Sequence, residues 1–193
     1  AIEGFANNPP ERCYFCKTEL FGKLKEIAGE QGFLNVADGA NLDDTQEFRP
    51  GLQASRELNV RSPLKETGLT KKDIREVSKF LNLPNWDKPA YACLSSRFPY
   101  GQSITEEKLS MVSEAEKYLR ALGLIQFRVR HHETIARIEV LPEDIHILTN
   151  SPVREELSAK FKNIGFTYVT LDLEGYRSGS MNEILSEIEQ KIN

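Results

Sequence analysis

The sequence predicts an α/β protein built from two parts. In the first half, an amphipathic helix is followed directly by a short apolar run, which is the αβ step that builds parallel sheets. In the second half, helix-like and strand-like segments follow in the order α, β, β, α, β, which is typical of a small α+β domain. Gly101 interrupts the pattern within residues 100–103. We therefore expect one domain over residues 1–100 and a second over residues 101–193.

Two helices and one strand are predicted in the first half. Residues 17–32 place leucine and isoleucine at helical spacing before a terminal glycine, and the apolar run 33–37 follows as a strand. Residues 69–83 predict a second helix, with Thr70 as its N-cap and Asp73 three positions later. A proline at the next position ends this helix.

The second half carries the more regular signals. Residues 103–123 place apolar side chains on one face of a helix. The next segments, 126–130 and 134–140, alternate in polarity and predict a hairpin whose tip, at two histidines and a glutamate, is solvated. Residues 151–165 predict another helix, and residues 166–173 predict a third strand.

Composition excludes several classes of protein. With 193 residues, of which 39% are hydrophobic, the chain is long enough to bury a sizeable core. A formal net charge of −4 argues against a general nucleic-acid binder. The sequence has no run of about 18 apolar residues and no signal-peptide pattern, so we expect no membrane contact. Few, unevenly spaced cysteines fit a reducing compartment, and we expect a cytoplasmic protein.

The three cysteines are the first chemical signal. Cys13 and Cys16 form a CxxC turn, and Cys93 lies far downstream. Three thiolates could hold zinc with a histidine or water as fourth ligand, or a cubane iron–sulfur cluster with one iron left open. The alternative is a redox pair in the CxxC turn together with a buried, apolar Cys93. Spacing alone leaves these interpretations open.

Arginines are the second signal. Arg128 and Arg130 alternate on a predicted strand and so project to the same face, where two guanidinium groups can clamp a phosphate or a carboxylate. For a strand pair taken alone, pairing with surface carboxylates is the favoured alternative. Arg137 and Glu139 share a strand face and are interpreted as a solvated pair.

A loop rich in carboxylates follows the first predicted strand. The carboxyl end of a strand in an open α/β sheet is where ligands bind, so magnesium or a ribose hydroxyl could be held here. Loops of this composition are also often only turns and helix caps. The carboxylates concerned are Asp38, Asp43, Asp44 and Glu47.

Six stretches, in order along the chain, resemble the LarE family. The family consists of ATP-dependent sulfur transferases of nickel-pincer-nucleotide cofactor biosynthesis, which serves lactate racemase and related enzymes, and it lies within the PP-loop ATP pyrophosphatase superfamily. The resemblance implies that residues 1–100 are the C-terminal part of a Rossmann-like PP-loop domain. The stretches are NNPPERCYFCK, VADGANLDDTQEFRPG, ASRELNVRSPL, LTKKDIREVSKFLNLPNWDKPAYACLSSRFPYG, FRVRHHETIARIEV and LDLEGYRSGSMNE.

One family motif is absent from the chain. The ATP-binding loop of the form SGGxDS, near the N-terminus of family members, has no counterpart here. A domain that began in mid-sheet would leave sheet edges and apolar faces uncovered. We therefore expect an N-terminal segment that carries this loop to precede Ala1 in the complete protein.

The resemblance also implies a reaction. ATP with Mg²⁺ adenylates a carboxylate of pyridinium-3,5-biscarboxylic acid mononucleotide, and sulfur from a sulfide donor then displaces AMP to give a thiocarboxylate. Cys13, Cys16 and Cys93 match the subtype that holds a [4Fe–4S] cluster, whose free iron binds hydrosulfide. Two alternatives are a sacrificial Cys93 that ends as dehydroalanine and a PP-loop enzyme that thiolates tRNA, which the acidic charge disfavours.

Site residues follow from the same resemblance. Cys93, Arg97 and Glu116 are the expected catalytic residues. The expected contacts to substrate or phosphate are Ser96, Arg97, Arg128 and Arg130. Family members also suggest a homo-oligomer, and no nucleic-acid partner is expected.

Overall fold

The computed structural model describes residues 2–46, 49–89, 91–177 and 179–180. The chain divides into two compact units, residues 1–90 and residues 91–193. This division falls before the joint that we predicted at residues 100–103. The assignment of the first part to a PP-loop domain stays a prediction. The described residues form a mixed α/β protein with helices in both units and a small sheet in the second.

The described part of the first unit is mainly helical. Tyr14 Oη on the first helix donates a hydrogen bond to Glu57 Oε2 on the second at 2.7 Å, which ties the two together. The helices are α1 (Arg12–Glu30), α2 (Gly51–Glu57), α3 (Pro63–Glu66) and α4 (Lys71–Phe80), with a 3₁₀ helix at Asp43–Gln46.

Helix α4 begins as the sequence predicts. The hydroxyl of Thr70 accepts a hydrogen bond from Asp73 N at 3.2 Å, and Asp73 Oδ2 accepts one from Thr70 N at 2.9 Å. The two bonds form a capping box, which satisfies backbone groups that the first helical turn cannot pair internally. The predicted N-cap and its partner are therefore confirmed.

Helix α1 begins earlier than the predicted residue 17. It starts at Arg12 and so includes both cysteines of the CxxC segment, which we had interpreted as a turn. Its N-cap, Glu11, makes no side-chain capping bond, so the sequence carries no cap signal at the true start. Charged residues recur along the helix, and no helix in the described ranges is long and apolar enough to cross a membrane.

The predicted strand at residues 33–37 is wrong. Among the described residues of this unit, the run forms only one isolated parallel bridge, between Ala37 and Arg61. Phe33 and Leu34 are 64% and 96% exposed. An apolar run of this length becomes a strand only where a neighbouring strand pairs with it along its length, and a single bridge does not provide that pairing.

The second unit contains the sheet. Its strands are β1 (Phe127–His132), β2 (Ile135–Val140) and β3 (Tyr168–Leu171), and its helices are α5 (Glu106–Ala121), α6 (Ile145–Thr149) and α7 (Val153–Ile164), with 3₁₀ helices at Leu94–Arg97 and Pro142–Asp144. The strands lie in the order β1-β2-β3. Strands β1 and β2 pair antiparallel as the predicted hairpin, and β3 pairs parallel to β2.

One face of the sheet packs against α5 and α7. Val112, Ala115 and Leu119 of α5 are fully buried, which confirms the apolar helix face that the sequence predicts. On β1, Phe127 and Val129 face this core, while the alternate residues lie on the opposite face. The sheet therefore separates an apolar layer from a polar one.

The predicted hairpin tip is only partly solvated. His131 is 1% exposed, and its ring lies between Phe98 and Phe166, with ring centroids at 5.1 and 5.5 Å. The turn begins at Glu133, directly after the two histidines. Its φ of 53° is the left-handed conformation that tight hairpins require. His131 belongs to the core because the register places it on the apolar face.

Candidate functional site

The two cysteines of the CxxC segment lie on successive turns of α1. Residues three apart on a helix are neighbours on its surface, so Cys13 and Cys16 can reach one ligand together. Cys13 is exposed and Cys16 is half-buried, and neither forms a disulfide. Gly51, at the start of α2, lies against Cys13, since a Cβ there would be 3.8 Å from Cys13 Cβ.

Cys93 belongs to the second unit and has an exposed thiol on a fixed backbone. It lies directly before the 3₁₀ helix Leu94–Arg97. Its carbonyl accepts hydrogen bonds from Ser96 N at 3.0 Å, from the Ser96 hydroxyl at 2.8 Å and from Arg97 Nη1 at 3.2 Å. The thiol is therefore open to solvent while the backbone that carries it is held in place.

Arg97 joins the Cys93 segment to α5. Its side chain is 1% exposed, and its Nε and Nη2 donate to the two carboxylate oxygens of Glu116 at 2.7 and 3.0 Å. Its Nη1 also donates to the carbonyl of Ala92 at 3.1 Å. A bidentate pair of this kind fixes orientation as well as position. Arg97 thus holds the carbonyls of the two peptide groups that flank Cys93.

Glu116 has a second partner at the edge of the sheet. Its Oε1 accepts a hydrogen bond from the backbone N–H of Val129, on β1, at 3.2 Å. Both carboxylate oxygens therefore bond to protein groups, which suits a positioning role. That Arg97 and Glu116 take part in the chemistry stays a prediction.

Arg130 is buried in the polar layer on the other face of β1. It is 8% exposed, and its Nε and Nη2 donate to the carboxylate of Glu139 at 2.9 and 2.8 Å. Its Nη1 donates to the carbonyl of Ser96 at 2.8 Å, and its Nη2 also reaches the Ser180 hydroxyl at 2.8 Å. Arg130 therefore connects the sheet to the segment that carries Cys93.

The interpretation of Arg137 and Glu139 as a solvated pair is wrong. Glu139 is 1% exposed and accepts hydrogen bonds from both Arg130 and Arg137, the latter at 3.1 Å from Nη2. Sequence reasoning missed Glu139 as the central carboxylate of the layer. The signal was present in its alternation with Arg137, but its burial depends on a register that pairs β1 with β2.

Arg128 lies on the same face of β1, two residues before Arg130, and is 5% exposed. Its guanidinium carbon is 5.0 Å from the ring centroid of Tyr176, a stacking contact that sequence reasoning also missed. Burial lowers the pKa of Arg128, and the positive charges of Arg97 and Arg130 lower it further. The negative charge of Glu116 acts in the opposite direction on this pKa, and Nη1 of Arg128 donates to the carbonyl of Phe127 at 2.6 Å.

Positive charge outnumbers negative charge in this part of the second unit. Among the described residues, the carboxylates there are Glu116, Glu139 and Asp172, and each is paired with arginine. The excess makes the layer suited to anionic ligands. The cations concerned are Arg97, Arg128, Arg130 and Arg137.

The loop carboxylates act as turn and cap acceptors. Asp38 accepts hydrogen bonds from two serine hydroxyls at 2.7 and 3.1 Å. Asp43 accepts from Lys71 N at 2.8 Å, and Asp44 accepts from a backbone N–H in its own turn at 3.0 Å. Glu47 lies outside the described residues. The contacts favour the structural interpretation of this loop over a magnesium site.

Within either unit, the described residues hold no group of three or more His, Cys, Asp or Glu side chains placed to bind a single metal ion. The three thiols are divided between the units, two on α1 and one before the 3₁₀ helix. Three accessible or half-buried thiols match the donor set of a thiolate-bound iron–sulfur cluster.

The chain is similar to three known proteins over nearly its whole length. An uncharacterized protein of Synechocystis sp. is 51% identical over 187 residues, which cover 97% of this chain and 70% of the relative. The pyridinium-3,5-bisthiocarboxylic acid mononucleotide synthase of Lactiplantibacillus plantarum is 42% identical over 183 residues, 95% of this chain and 66% of the synthase. An uncharacterized protein of Methanocaldococcus jannaschii is 38% identical, with 92% and 68% covered.

No protein-family model matches the chain. The chain spans about two thirds of the length of the curated relatives that it matches. Identity of 42% over 95% of the chain to a named synthase confirms the family that the sequence motifs predict. The chain belongs to the LarE family, the enzyme family that includes the pyridinium-3,5-bisthiocarboxylic acid mononucleotide synthase of Lactiplantibacillus plantarum.

Proposed function

We propose that the complete protein is an ATP-dependent sulfur transferase that converts the carboxylates of pyridinium-3,5-biscarboxylic acid mononucleotide to thiocarboxylates. The observation that carries the proposal is the connection between Cys93 and the buried arginines of the polar layer. Ser96 and Arg97 hold the Cys93 carbonyl, and Arg130 holds the Ser96 carbonyl at 2.8 Å. An exposed thiol and a group of buried arginines thus belong to one hydrogen-bonded network.

The proposed substrate matches the charge of this layer. It carries two carboxylates and a phosphate, and buried guanidinium groups bind both kinds of anion. Arg128 is the candidate for direct contact, because it shares a strand face with Arg130 and its guanidinium lies over the ring of Tyr176. Arg130 and Arg97 are better suited to positioning, since each is already bonded to a buried carboxylate.

The reaction proceeds in two steps. A carboxylate oxygen of the substrate bonds to the α-phosphorus of ATP, and pyrophosphate leaves. Hydrosulfide then bonds to the activated carbonyl carbon, AMP leaves with the electron pair of the broken carbon–oxygen bond, and the proton of hydrosulfide passes to solvent. The product is a thiocarboxylate, and no atom is oxidised or reduced. Activation is required because a carboxylate is a poor electrophile until one oxygen becomes part of a good leaving group.

Cys13, Cys16 and Cys93 would hold a [4Fe–4S] cluster in the proposed protein. When bound, such a cluster supplies an iron with a coordination position that no cysteine fills, where hydrosulfide from a sulfide donor can bind. The exposed thiols of Cys13 and Cys93 fit this use better than buried, inert cysteines would. We also propose that the first unit is the remainder of a PP-loop domain, which binds ATP with Mg²⁺. A cytoplasmic location and a homo-oligomer are part of the same proposal.

A turnover assay of the complete protein tests the function. The protein is incubated anaerobically with ATP, Mg²⁺, sulfide and the dicarboxylate mononucleotide, and mass spectrometry follows exchange of oxygen for sulfur while AMP and pyrophosphate are quantified. We expect Cys93→Ala to abolish sulfur exchange but to retain AMP formation. The exposed surface variant Arg154→Ala should retain both activities.

Two outcomes would change the proposal. Absence of both AMP and thiocarboxylate from the wild-type reaction would overturn the assigned function. Loss of one sulfur from Cys93 itself during turnover, detected in the mass of its peptide, would replace delivered hydrosulfide with the sacrificial mechanism.

A further inference from the structure

Two buried nitrogen atoms in the polar layer have no hydrogen-bond partner among the described residues. They are Nε2 of His132, on β1, and Nε of Arg137, on β2. A polar atom that is removed from water without a partner lowers stability, and such atoms are few in folded proteins. Two of them on one face of a hairpin therefore require an explanation.

The strand register places the two side chains next to each other. His132 continues the alternation of Arg128 and Arg130, so it lies on the polar face of β1. Its direct partner across the hairpin is Ile135, and Arg137 is the next residue on the same face of β2. Diagonal neighbours of this kind are within reach of long side chains. Burial lowers the pKa of His132, and Arg137 is the nearby charge that lowers it most.

The carboxylates near this pair are already engaged. Glu139 accepts hydrogen bonds from Arg130 and from Nη2 of Arg137. Asp172 lies 3.7 Å from Nη1 of Arg137 and 3.8 Å from Arg177, so it faces two cations. The contacts leave Arg137 oriented by two acidic groups while its Nε–H stays without an acceptor among the described residues.

We propose that His132 and Arg137 form an oxyanion subsite in the polar layer of the hairpin. The Nε–H of Arg137 and the Nε2–H tautomer of a neutral His132 are two donors, and one carboxylate or phosphate oxyanion would satisfy both. Oxyanion binding stands on this geometry alone, whereas its use for the substrate rests on the proposed function. A substrate with three anionic groups needs more than one such position, and this pair supplies one on the strand face of Arg128, with Arg130 between them.

Nuclear magnetic resonance of the imidazole nitrogens tests the subsite without turnover. The probes are inorganic phosphate and pyridine-3,5-dicarboxylate, each titrated separately into the ¹⁵N-labelled chain near neutral pH. We expect the Nε2 resonance of His132 to move saturably with at least one probe. The internal control is His146, an exposed residue of α6 whose Nδ1 lies 2.6 Å from the carbonyl of Glu143. Its resonances should not move.

A charge variant adds a second readout. Arg137→Gln should weaken the response of His132 about tenfold, because a charge-assisted donor is lost. The exposed Arg154→Gln removes the same charge elsewhere and should leave the response unchanged. If Arg137→Gln does not fold, the wild-type titration remains decisive.

Each outcome is informative. A response to phosphate alone assigns the subsite to a phosphate group, and a response to the dicarboxylate alone assigns it to a carboxylate. No movement of His132 with either probe would overturn the subsite and would leave the sulfur-transfer proposal intact. Saturable movement in a protein that fails the turnover assay would support the subsite while the proposed function fails.

Discussion

Arg97 and Glu116 form a bidentate ion pair inside the second unit, with side chains that are 1% and 7% exposed. The pair connects the segment that carries Cys93 to α5 and, through Val129 N, to the edge of β1. The position of the Cys93 backbone therefore depends, through Arg97, on Glu116, a residue of α5 that lies far from Cys93 along the chain.

Glu116→Gln should destabilise the second unit strongly. Glutamine keeps the shape of the side chain but leaves the Arg97 charge buried without a counter-charge, a loss of about 3–5 kcal/mol. The matched control is Glu114→Gln on the same helix, whose carboxylate pairs with Lys117 at the surface. That variant should lose no more than about 1 kcal/mol. Urea unfolding of the three proteins measures the difference, and equal losses would contradict the role of the pair.

Arg130 and Arg128 should respond differently to removal of their charge. Arg130→Met leaves Glu139 buried with one cation fewer and should cost about 3–5 kcal/mol of unfolding free energy. Arg128→Met removes a cation whose charge burial disfavours and loses a hydrogen bond to the Phe127 carbonyl, so we expect a smaller loss of stability than for Arg130→Met. The same variant should weaken phosphate binding about tenfold. Urea unfolding measures the stability of each variant, and phosphate titration measures its binding. A larger loss of stability for Arg128→Met than for Arg130→Met would contradict the two assigned roles.

Gly175 should tolerate no side chain. Its φ is +73°, and a Cβ there would lie 2.7 Å from the carbonyl of Val140, which also accepts a hydrogen bond from Tyr176 N at 2.8 Å. Gly175→Ala should therefore displace Tyr176 from Arg128 as well as cost stability. Gly123→Ala is the control, because its φ of +89° imposes the same backbone cost, about 1–2 kcal/mol, with no described atom within 4 Å of the new Cβ. Thermal unfolding in which both variants lose the same stability would rule out the clash.

The first unit should lose stability in acid through Glu66. Hydrogen bonds from Arg61 and from Ser62 N lower the pKa of Glu66 from 4.5 to about 2. A carboxyl with a lowered pKa in the folded state stabilises the fold above its unfolded pKa, and that contribution is lost as pH falls from 4.5 to about 2.

Trp86 provides the measurement, because it is the single tryptophan of the chain and lies in the first unit. Its fluorescence should report a midpoint of unfolding that falls less steeply over this pH range in Glu66→Gln than in the wild type. Glu76→Gln, at an exposed carboxylate 3.9 Å from Lys72, is the control. Identical pH profiles for wild type and Glu66→Gln would contradict the prediction.

The local parts of the second unit could be predicted from the sequence. The buried face of α5 and the hairpin of β1 and β2 follow from periodicities that short segments carry by themselves. The buried charges could not be predicted, because Arg130 and Glu139 look like surface residues until the register pairs their strands and the Ser96 segment covers them. His131 is similar, since Phe98 and Phe166, which enclose it, lie far away in sequence.

In the first unit, one local signal was predicted and several other features were missed. The capping box of Thr70 and Asp73 is a local signal and was predicted correctly. The start of α1 was missed because Glu11 provides no capping bond. The run at 33–37 was assigned as a strand because apolar character alone does not show whether a partner strand is present. The cysteines were recognised from their spacing, but the division of the three thiols between two units is a property of the fold.

The most direct test of the central claim is the iron content of the complete protein purified without oxygen. If Cys13, Cys16 and Cys93 hold one cubane cluster, iron and acid-labile sulfide should each be about four per chain, with broad visible absorption. Alanine at any one of these positions should abolish that absorption, whereas Ser103→Ala, at an exposed hydroxyl in the second unit, should retain it. Iron that is absent after anaerobic reconstitution, or unchanged in all three cysteine variants, would contradict cluster-dependent sulfur transfer.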